Sequence, residues 1–521
     1  MGTTKAAWAR AEPWLFRLLA LLHLLPVWSS RWFVTLDGPA HLYSARLVLG
    51  LVQGDAFIGR FFHLSTYPEP YWTGHAVMAA LLAVLPAWLV EKTTWSLAVL
   101  GLAWAFRHLI LLLSPKRPWA SWLVFPFLLH YATGMGFLNF SLSLPLMLAT
   151  LAAAWQGILA GRMRTALLAM LFLLLYFTHL FTFLATAGMV LAMACWCAFT
   201  TTWYKAGKLL PQLFAALALP LLLTLGYGLA HARQGPPTAQ AGQPQLWHWL
   251  LTGRAWNALG LEGEERTCTV LALVLLLAGA AALVSGLRST ARRPGMPDFW
   301  PLLSLACFAA YFMLPDTVAG GSNVSPRFLL FAMLFLACSV SISKLPDPAL
   351  AATLAIMLPF GLYHTCLQVE AARGLGRECD ELLEVRAAIP DQTVLLPLNY
   401  SGNWMHSNLS NYLGTANERV IVLDHFTALA PFNPVQWNSG MLPYGPVGNF
   451  ATSNSPCVHI AAYRAATGTA INAALTWKMQ AAPTDSCLAD TKRQLREGFL
   501  PRASSQGADA LLYTSRPGGA D

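Results

Sequence analysis

Apolar runs long enough to cross a bilayer recur from Trp14 to about Leu367, and no other property of this chain limits its fold so tightly. Crossing about 30 Å of hydrocarbon takes roughly 20 helical residues. In that solvent every backbone N–H and C=O must be satisfied within the protein, which leaves only helices or closed barrels. The reading gives about eleven runs, each of helix length and not of barrel-strand length. Of 521 residues, 56% are hydrophobic and 11% charged, against roughly a quarter charged in ordinary soluble domains. The expectation is therefore a polytopic α-helical membrane protein.

Charge marks where the membrane part stops. Residues 1–367 hold 11 of the 24 acids and 22 of the 33 bases, whereas residues 368–521 hold 13 acids and 11 bases. This predicts a multi-span domain over 1–367, with a structured first outside loop over 35–71, and an extracytoplasmic α/β domain over 368–521. Basic residues bias loops to the cytoplasmic side. Lys5, Arg10 and Arg17, then Arg162 and Arg164, Lys205 and Lys208, and Arg288, Arg292 and Arg293 put those ends inside and the first loop and the tail outside. Lys116 and Arg117 conflict with that parity, and a re-entrant or split segment between Trp119 and Leu159 would repair it. The excess of base lies wholly in the membrane part, where it faces anionic lipid head groups. The tail has no basic patch with interleaved aromatics, so nucleic acid is not an expected partner.

The N-terminus reads as an uncleaved signal anchor. Six cysteines lie in or beside apolar runs; of Cys379, Cys457 and Cys487 in the tail, the expected pair is Cys457 with Cys487. The tail alternates strand-like runs at Thr393–Leu398, Arg419–Leu423 and Ala510–Thr514 with helix-like runs at Glu370–Ala388 and Asp485–Gly498. It contains no nucleotide-binding, zinc-protease or serine-hydrolase motif.

The first outside loop carries the sharpest candidate. Asp37-Gly38-Pro39-Ala40-His41 opens it, and Leu42, Ala45, Leu49 and Val52 then recur at helical spacing, which predicts an interfacial amphipathic helix. An aspartate at a membrane exit can serve as general base, or can hold a divalent cation against a lipid phosphate. It can equally be no more than the N-cap of the helix that begins at Pro39. His41, one turn on, shares that face as a helper or a plain interfacial histidine. Glu69, between two prolines, is a second carboxylate or a turn residue, and His75 can reach the same interface.

Elsewhere, ionisable groups at membrane depth are costly and call for a role. His179 and the pair Arg107-His108 are such groups. Arg327, after the polar loop LPDTVAGGSNVSPR, suits a phosphate through its planar donor fork. Gly134, Gly136 and Asn139 suit close helix packing or a broken helix. A transporter or flippase would use His179 and Arg107 along a pathway; a silent scaffold would leave Asp37 as a cap.

The segments LDGPAHLY (36–43), YPEPYWTGH (67–75), YFTHL (176–180) and SPRFLLFA (325–332) resemble the GT-C class of integral membrane glycosyltransferases, near its bacterial mannosyltransferase and aminoarabinose transferase families. The resemblance covers about residues 14–367. It implies hexosyltransferase-like transfer of a sugar from a polyprenyl-phosphate donor to a lipid, glycan or protein acceptor at the outer face of the cytoplasmic (inner) membrane. It maps the class's first-loop acid onto Asp37, as base or metal ligand, with His41 and Glu69 assisting. Arg327 maps onto the carrier phosphate, with His75 and His179 as further substrate-binding candidates. Many members carry two adjacent acids where this chain has Asp37-Gly38, which puts a metal in doubt.

Overall fold

The structure, a computed structural model, describes residues 2–201, 203–231, 239–257, 259–287, 294–317, 322–415, 419–451, 455–483 and 485–516. The basic trio Arg288, Arg292 and Arg293 lies outside the described residues. The chain divides into two compact units, residues 1–27 with 95–371 and residues 28–94 with 372–521.

The first unit is helical. Among the described residues, eight helices of the chain are long and apolar enough to cross a membrane: Ala87–Leu113, Leu138–Ala160, Leu180–Thr200, Gly207–His231, Glu264–Gly286, Met296–Met313, Val324–Ile342 and the helix within Asp347–Ala388. Trp72–Leu82 and Thr165–Thr178 are apolar but shorter. The sequence count was higher because it included these and the helix Gly2–Leu22, which carries Arg10, Glu12 and Arg17. Val324–Ile342 is enclosed along most of its length and forms the centre of the unit. Gly207–His231 instead exposes Leu219, Leu222, Leu225 and Leu229, a stripe at helical spacing that suits contact with lipid.

The segment between Trp119 and Leu159 is divided. Residues Pro118–Phe127 form a 3-10 helix, Tyr131–Gly134 a single turn, and only then does Leu138–Ala160 begin. Prolines at 118 and 126 remove the N–H groups that a regular helix would use there. Arg107 does not stand free in the apolar interior. Its guanidinium grips both oxygens of Glu12 at 2.7 and 2.6 Å, and Trp122 Nε1 donates to the same carboxylate at 2.8 Å.

The second unit is mixed. Its strands are β1 (Phe62–Leu64), β2 (Thr393–Asn399), β3 (Val420–Val422), β4 (Val435–Trp437), β5 (Gly448–Asn449), β6 (Cys457–Val458), β7 (Ala473–Trp477), β8 (Phe499–Ser504) and β9 (Ala510–Ser515). Five of them form a sheet in the order β3-β2-β7-β9-β8, parallel over the first three and antiparallel beyond. The run TVLLPL is buried on both faces, as a central parallel strand demands. Pro397 is tolerated there because β3 pairs only with Thr393–Leu395, so the missing N–H points where no neighbour remains.

The first loop belongs to this unit. β1 pairs antiparallel with β4. The loop helix Gly38–Val52 covers the exposed edge of the sheet: Tyr43 Oη donates to Val420 O at 2.8 Å and accepts from Val422 N at 3.1 Å, which blunts an edge strand that would otherwise be open. Gly414 makes this approach possible, since a Cβ there would lie 2.3 Å from the Tyr43 ring.

Cys457 and Cys487 are joined as a disulfide. The helix expected over Glu370–Ala388 is not a separate element: one helix runs from Asp347 to Leu383, so the change in composition near Gln368 falls inside it. The central strand β7 was not expected, because AALTW is too short and too weakly patterned to stand out.

Candidate functional site

Three acids of the first loop have three different fates. Asp55 is a working cap, accepting from Phe57 N at 2.9 Å and Ile58 N at 3.1 Å. Glu69 is buried and accepts from Ser65 Oγ at 3.2 Å, which ties the Ser65–Glu69 turn. Asp37 stands at the N-cap position of Gly38–Val52, yet its side chain makes no capping bond. That work is done by Thr35, whose Oγ1 accepts from Gly38 N at 3.2 Å.

Released from capping, the Asp37 carboxyl is half-buried and receives the Asn408 amide, whose Nδ2 donates to Oδ1 at 3.2 Å and to Leu36 O at 2.9 Å. Desolvation pushes its pKa up to about 7. A carboxyl in that range holds and releases protons near neutral pH, which is what acid–base chemistry needs. Gly38 explains why the adjacent acid seen in the resembling class is missing: a Cβ at that position would lie 2.3 Å from Thr35 Oγ1 and 3.0 Å from Glu91 Oε1.

His41 and His75 meet. His41 Nδ1 lies 3.1 Å from His75 Nε2, and His75 Nδ1 lies 2.9 Å from Tyr71 O. Burial beside His75 and His425 pulls the pKa of His41 down to about 3, so the ring is neutral at physiological pH. Deeper, Ser44 Oγ donates to His425 Nε2 at 3.1 Å, His425 Nδ1 donates to Asn411 Oδ1 at 2.9 Å, and Asn411 Nδ2 donates to Asp424 Oδ1 at 3.1 Å. This array has the members of a nucleophilic relay. Its hydroxyl is fully buried, however, so it serves to anchor the loop helix.

The membrane unit holds its own cluster. Arg327 stands over the rings of Phe137, Phe140 and Phe181, 5.1, 5.3 and 5.8 Å from their centroids. His179 packs edge-on to the same Phe140 at 5.2 Å. It breaks the apolar stretch into two helices and caps the second, its Nδ1 accepting from Thr182 N at 3.3 Å. Arg254, which the sequence did not single out, lies over the Tyr131 ring at 4.4 Å. Tyr131 Oη in turn donates to Asn323. Arg254 Nε and Trp256 Nε1 are buried donors with no acceptor among the described residues, and such donors cost free energy unless an acceptor arrives.

The sequence grouped Asp37, His41 and Glu69 as one set and Arg327, His75 and His179 as another; in the structure His75 lies beside His41, and His179 and Arg327 share the Phe140 ring. It missed Thr35, Asn408 and Arg254. A threonine three residues before Gly38 is a legible capping signal; Asn408, 371 residues from Asp37, has none. Among the described residues, no three His, Cys, Asp or Glu side chains come together in a way that would hold a metal.

No family model and no curated protein matches the chain. Among solved structures, ArnT from Cupriavidus metallidurans, crystallised with undecaprenyl phosphate, is similar with a TM-score of 0.56 at 12% identity, over 98% of this chain and 99% of that one. The arabinofuranosyltransferase AftD from Mycobacteria gives a TM-score of 0.48 at 14% identity, over 97% of this chain and 40% of that one. The likeness to ArnT shows the fold: a multi-pass helical membrane protein with a sheet-containing C-terminal region.

Proposed function

We propose that this chain transfers a sugar, of hexosyl type, from a polyprenyl-phosphate carrier to a hydroxyl or amine of a lipid, glycan or protein acceptor. One observation carries the reading. Asp37, at the mouth of the first loop, is relieved of capping by Thr35, held by Asn408 and poised near neutrality. A residue kept only as a cap would make the capping bond.

As the acceptor oxygen bonds to the anomeric carbon, its proton passes to Asp37 and the bond from that carbon to the carrier's phosphate oxygen breaks. Polyprenyl phosphate leaves as an anion. Within the helical unit, Arg254 and Arg327 are the residues suited to a carrier phosphate, since planar guanidinium groups match its oxygens. The undecaprenyl phosphate held by ArnT supports a carrier of this class. His179 acts by fixing the helix start beside Arg327, and Glu69 by tying the loop.

The reaction is assigned to the outer face of the cytoplasmic membrane, with the N-terminus inside. The disulfide between Cys457 and Cys487 supports an oxidising compartment for the C-terminal region. A transporter reading has less to draw on, because Arg107 is closed off by Glu12 and His179 by Thr182.

Mass spectrometry of lipids that co-purify with the protein tests the carrier. The wild type is expected to retain a polyprenyl phosphate, and the pair Arg254→Gln with Arg327→Gln to lose it. Equal retention by both would remove the arginines from the carrier site.

A further inference from the structure

The contact between His41 and His75 has a direction, and the backbone sets it. Tyr71 O can only accept, so the His75 nitrogen beside it, Nδ1, carries the hydrogen. In a neutral ring the other nitrogen, Nε2, then has a lone pair and must accept. Across the 3.1 Å contact the donor is therefore His41 Nδ1–H. Each step follows from the rule that one nitrogen of a neutral imidazole donates and the other accepts. It leaves His41 Nε2, on a half-buried residue, with a lone pair that has no hydrogen-bond partner among the described residues.

The carbonyl that sets the direction is itself held unusually. Tyr71 has φ 73° and ψ 12°, a left-handed conformation that costs a bulky residue free energy and tends to be kept where it serves a purpose. It begins the helix Trp72–Leu82, one turn before His75.

We propose that His75 is a positioning residue that holds His41 in the tautomer with an unprotonated Nε2, and that His41 uses this lone pair to accept a hydrogen bond from the incoming hydroxyl or amine and orient it towards Asp37. The inference rests on the transferase reading for its substrate, but not for its geometry. His41 and Asp37 stand four residues apart, His41 N donating to Asp37 O at 3.0 Å, and residues so spaced share a helix face. The division of labour follows from the two groups. With a pKa of about 3, His41 takes a proton at neutral pH about ten-thousand-fold less readily than a group poised near 7. It is suited to accept a hydrogen bond, and Asp37 to accept the proton. The charges that would act on a protonated His41 are those of His75 and His425, and both disfavour it.

Diethyl pyrocarbonate acylates only an unprotonated imidazole nitrogen, and at about pH 5 an ordinary histidine of pKa about 6.5 is neutral in only a few per cent of molecules. The full-length protein in detergent, treated at that pH and mapped by peptide mass spectrometry, is expected to be modified at His41 ahead of exposed histidines such as His63 and His459. In His75→Leu the His41 tautomer is no longer fixed, Nε2 carries the hydrogen in most molecules, and modification slows several-fold. In His75→Gln an amide oxygen replaces the accepting nitrogen, and the rate is kept. No preferential modification of His41 in the wild type, or equal rates in His75→Leu, would overturn the relay. In cells, the glycan or lipid product is expected to fall in His75→Leu and to return in His75→Gln. Unchanged product in His75→Leu, with the modification rates as expected, would overturn the orienting role while leaving the transferase reading to the Asp37 variant.

Discussion

If Asp37 is the base, the group that steadies its charge should set the pH at which the protein works. The Asn408 amide donates to Asp37 Oδ1 at 3.2 Å. A hydrogen bond to a charged group contributes about 1.5–3 kcal/mol, and at this length the lower end applies. Asn408→Ala removes it from the ionised form only, so the pKa of Asp37 rises. The lost stabilisation corresponds to about one pKa unit at about 1.4 kcal/mol per unit, from about 7 to one unit higher.

The ionised fraction at neutral pH then falls from about half to about a tenth, so activity there falls about five-fold, and above about pH 9 it recovers to the wild-type level. The assay is the initial rate of sugar transfer in isolated membranes across buffers from mildly acidic to alkaline pH, with protein level equalised. The wild-type rate should rise through about pH 7 and then level. A uniform loss at every pH in Asn408→Ala, or a profile displaced towards acid, would refute the reasoning.

Other consequences are independent of the transfer assay. A carboxyl whose pKa is raised by folding stabilises the fold below its unfolded pKa and loses that contribution as pH rises through the folded value; Asp37 and Asp424 both reach about 7. Asp37→Asn should therefore unfold at a higher temperature than the wild type at mildly alkaline pH, with the gap closing towards about pH 4; a gap independent of pH would contradict this. Gly38→Asp should cost about 2–4 kcal/mol through overpacking and loss of the Thr35 cap, read by thermal unfolding in detergent, and no measurable shift would show that the loop yields freely. Glu12→Gln should leave the Arg107 charge uncompensated and cost about 3–5 kcal/mol, with membrane accumulation restored in part by adding Arg107→Met. Cys487→Ser opens a covalent link across 30 residues and should cost about 3–4 kcal/mol, seen as a lower melting temperature that a reductant no longer changes.

Much of the architecture was legible because hydrocarbon is so restrictive a solvent: apolar runs of sufficient length have almost no other fate. The strands over Thr393–Asn399 and Ala510–Ser515 were legible for a related reason, as short β-branched or continuous apolar runs bounded by turns. The helix through Gln368 was misjudged at its boundary, since a change from apolar to charged faces does not interrupt backbone hydrogen bonding. The site was half legible. Asp37, His41 and His75 announce themselves by type and place. Which acid caps and which does not depends on which side chain reaches the free N–H groups at each helix start: Thr35 and not Asp37 takes that of Gly38, whereas Asp55 takes those of Phe57 and Ile58, and backbone torsion angles decide it. Asn408 and Arg254 reach their partners from distant parts of the chain, where no local pattern points to them.

The central claim is that Asp37 carries the chemistry. The direct test compares the glycans and lipids of cells expressing the wild type with those expressing Asp37→Asn, after immunoblotting shows equal amounts of both proteins in the membrane. The account predicts that one glycan or glycolipid loses a single sugar in the variant, and that sugar identifies the donor. Identical profiles, with a wild-type product demonstrably present, would contradict it.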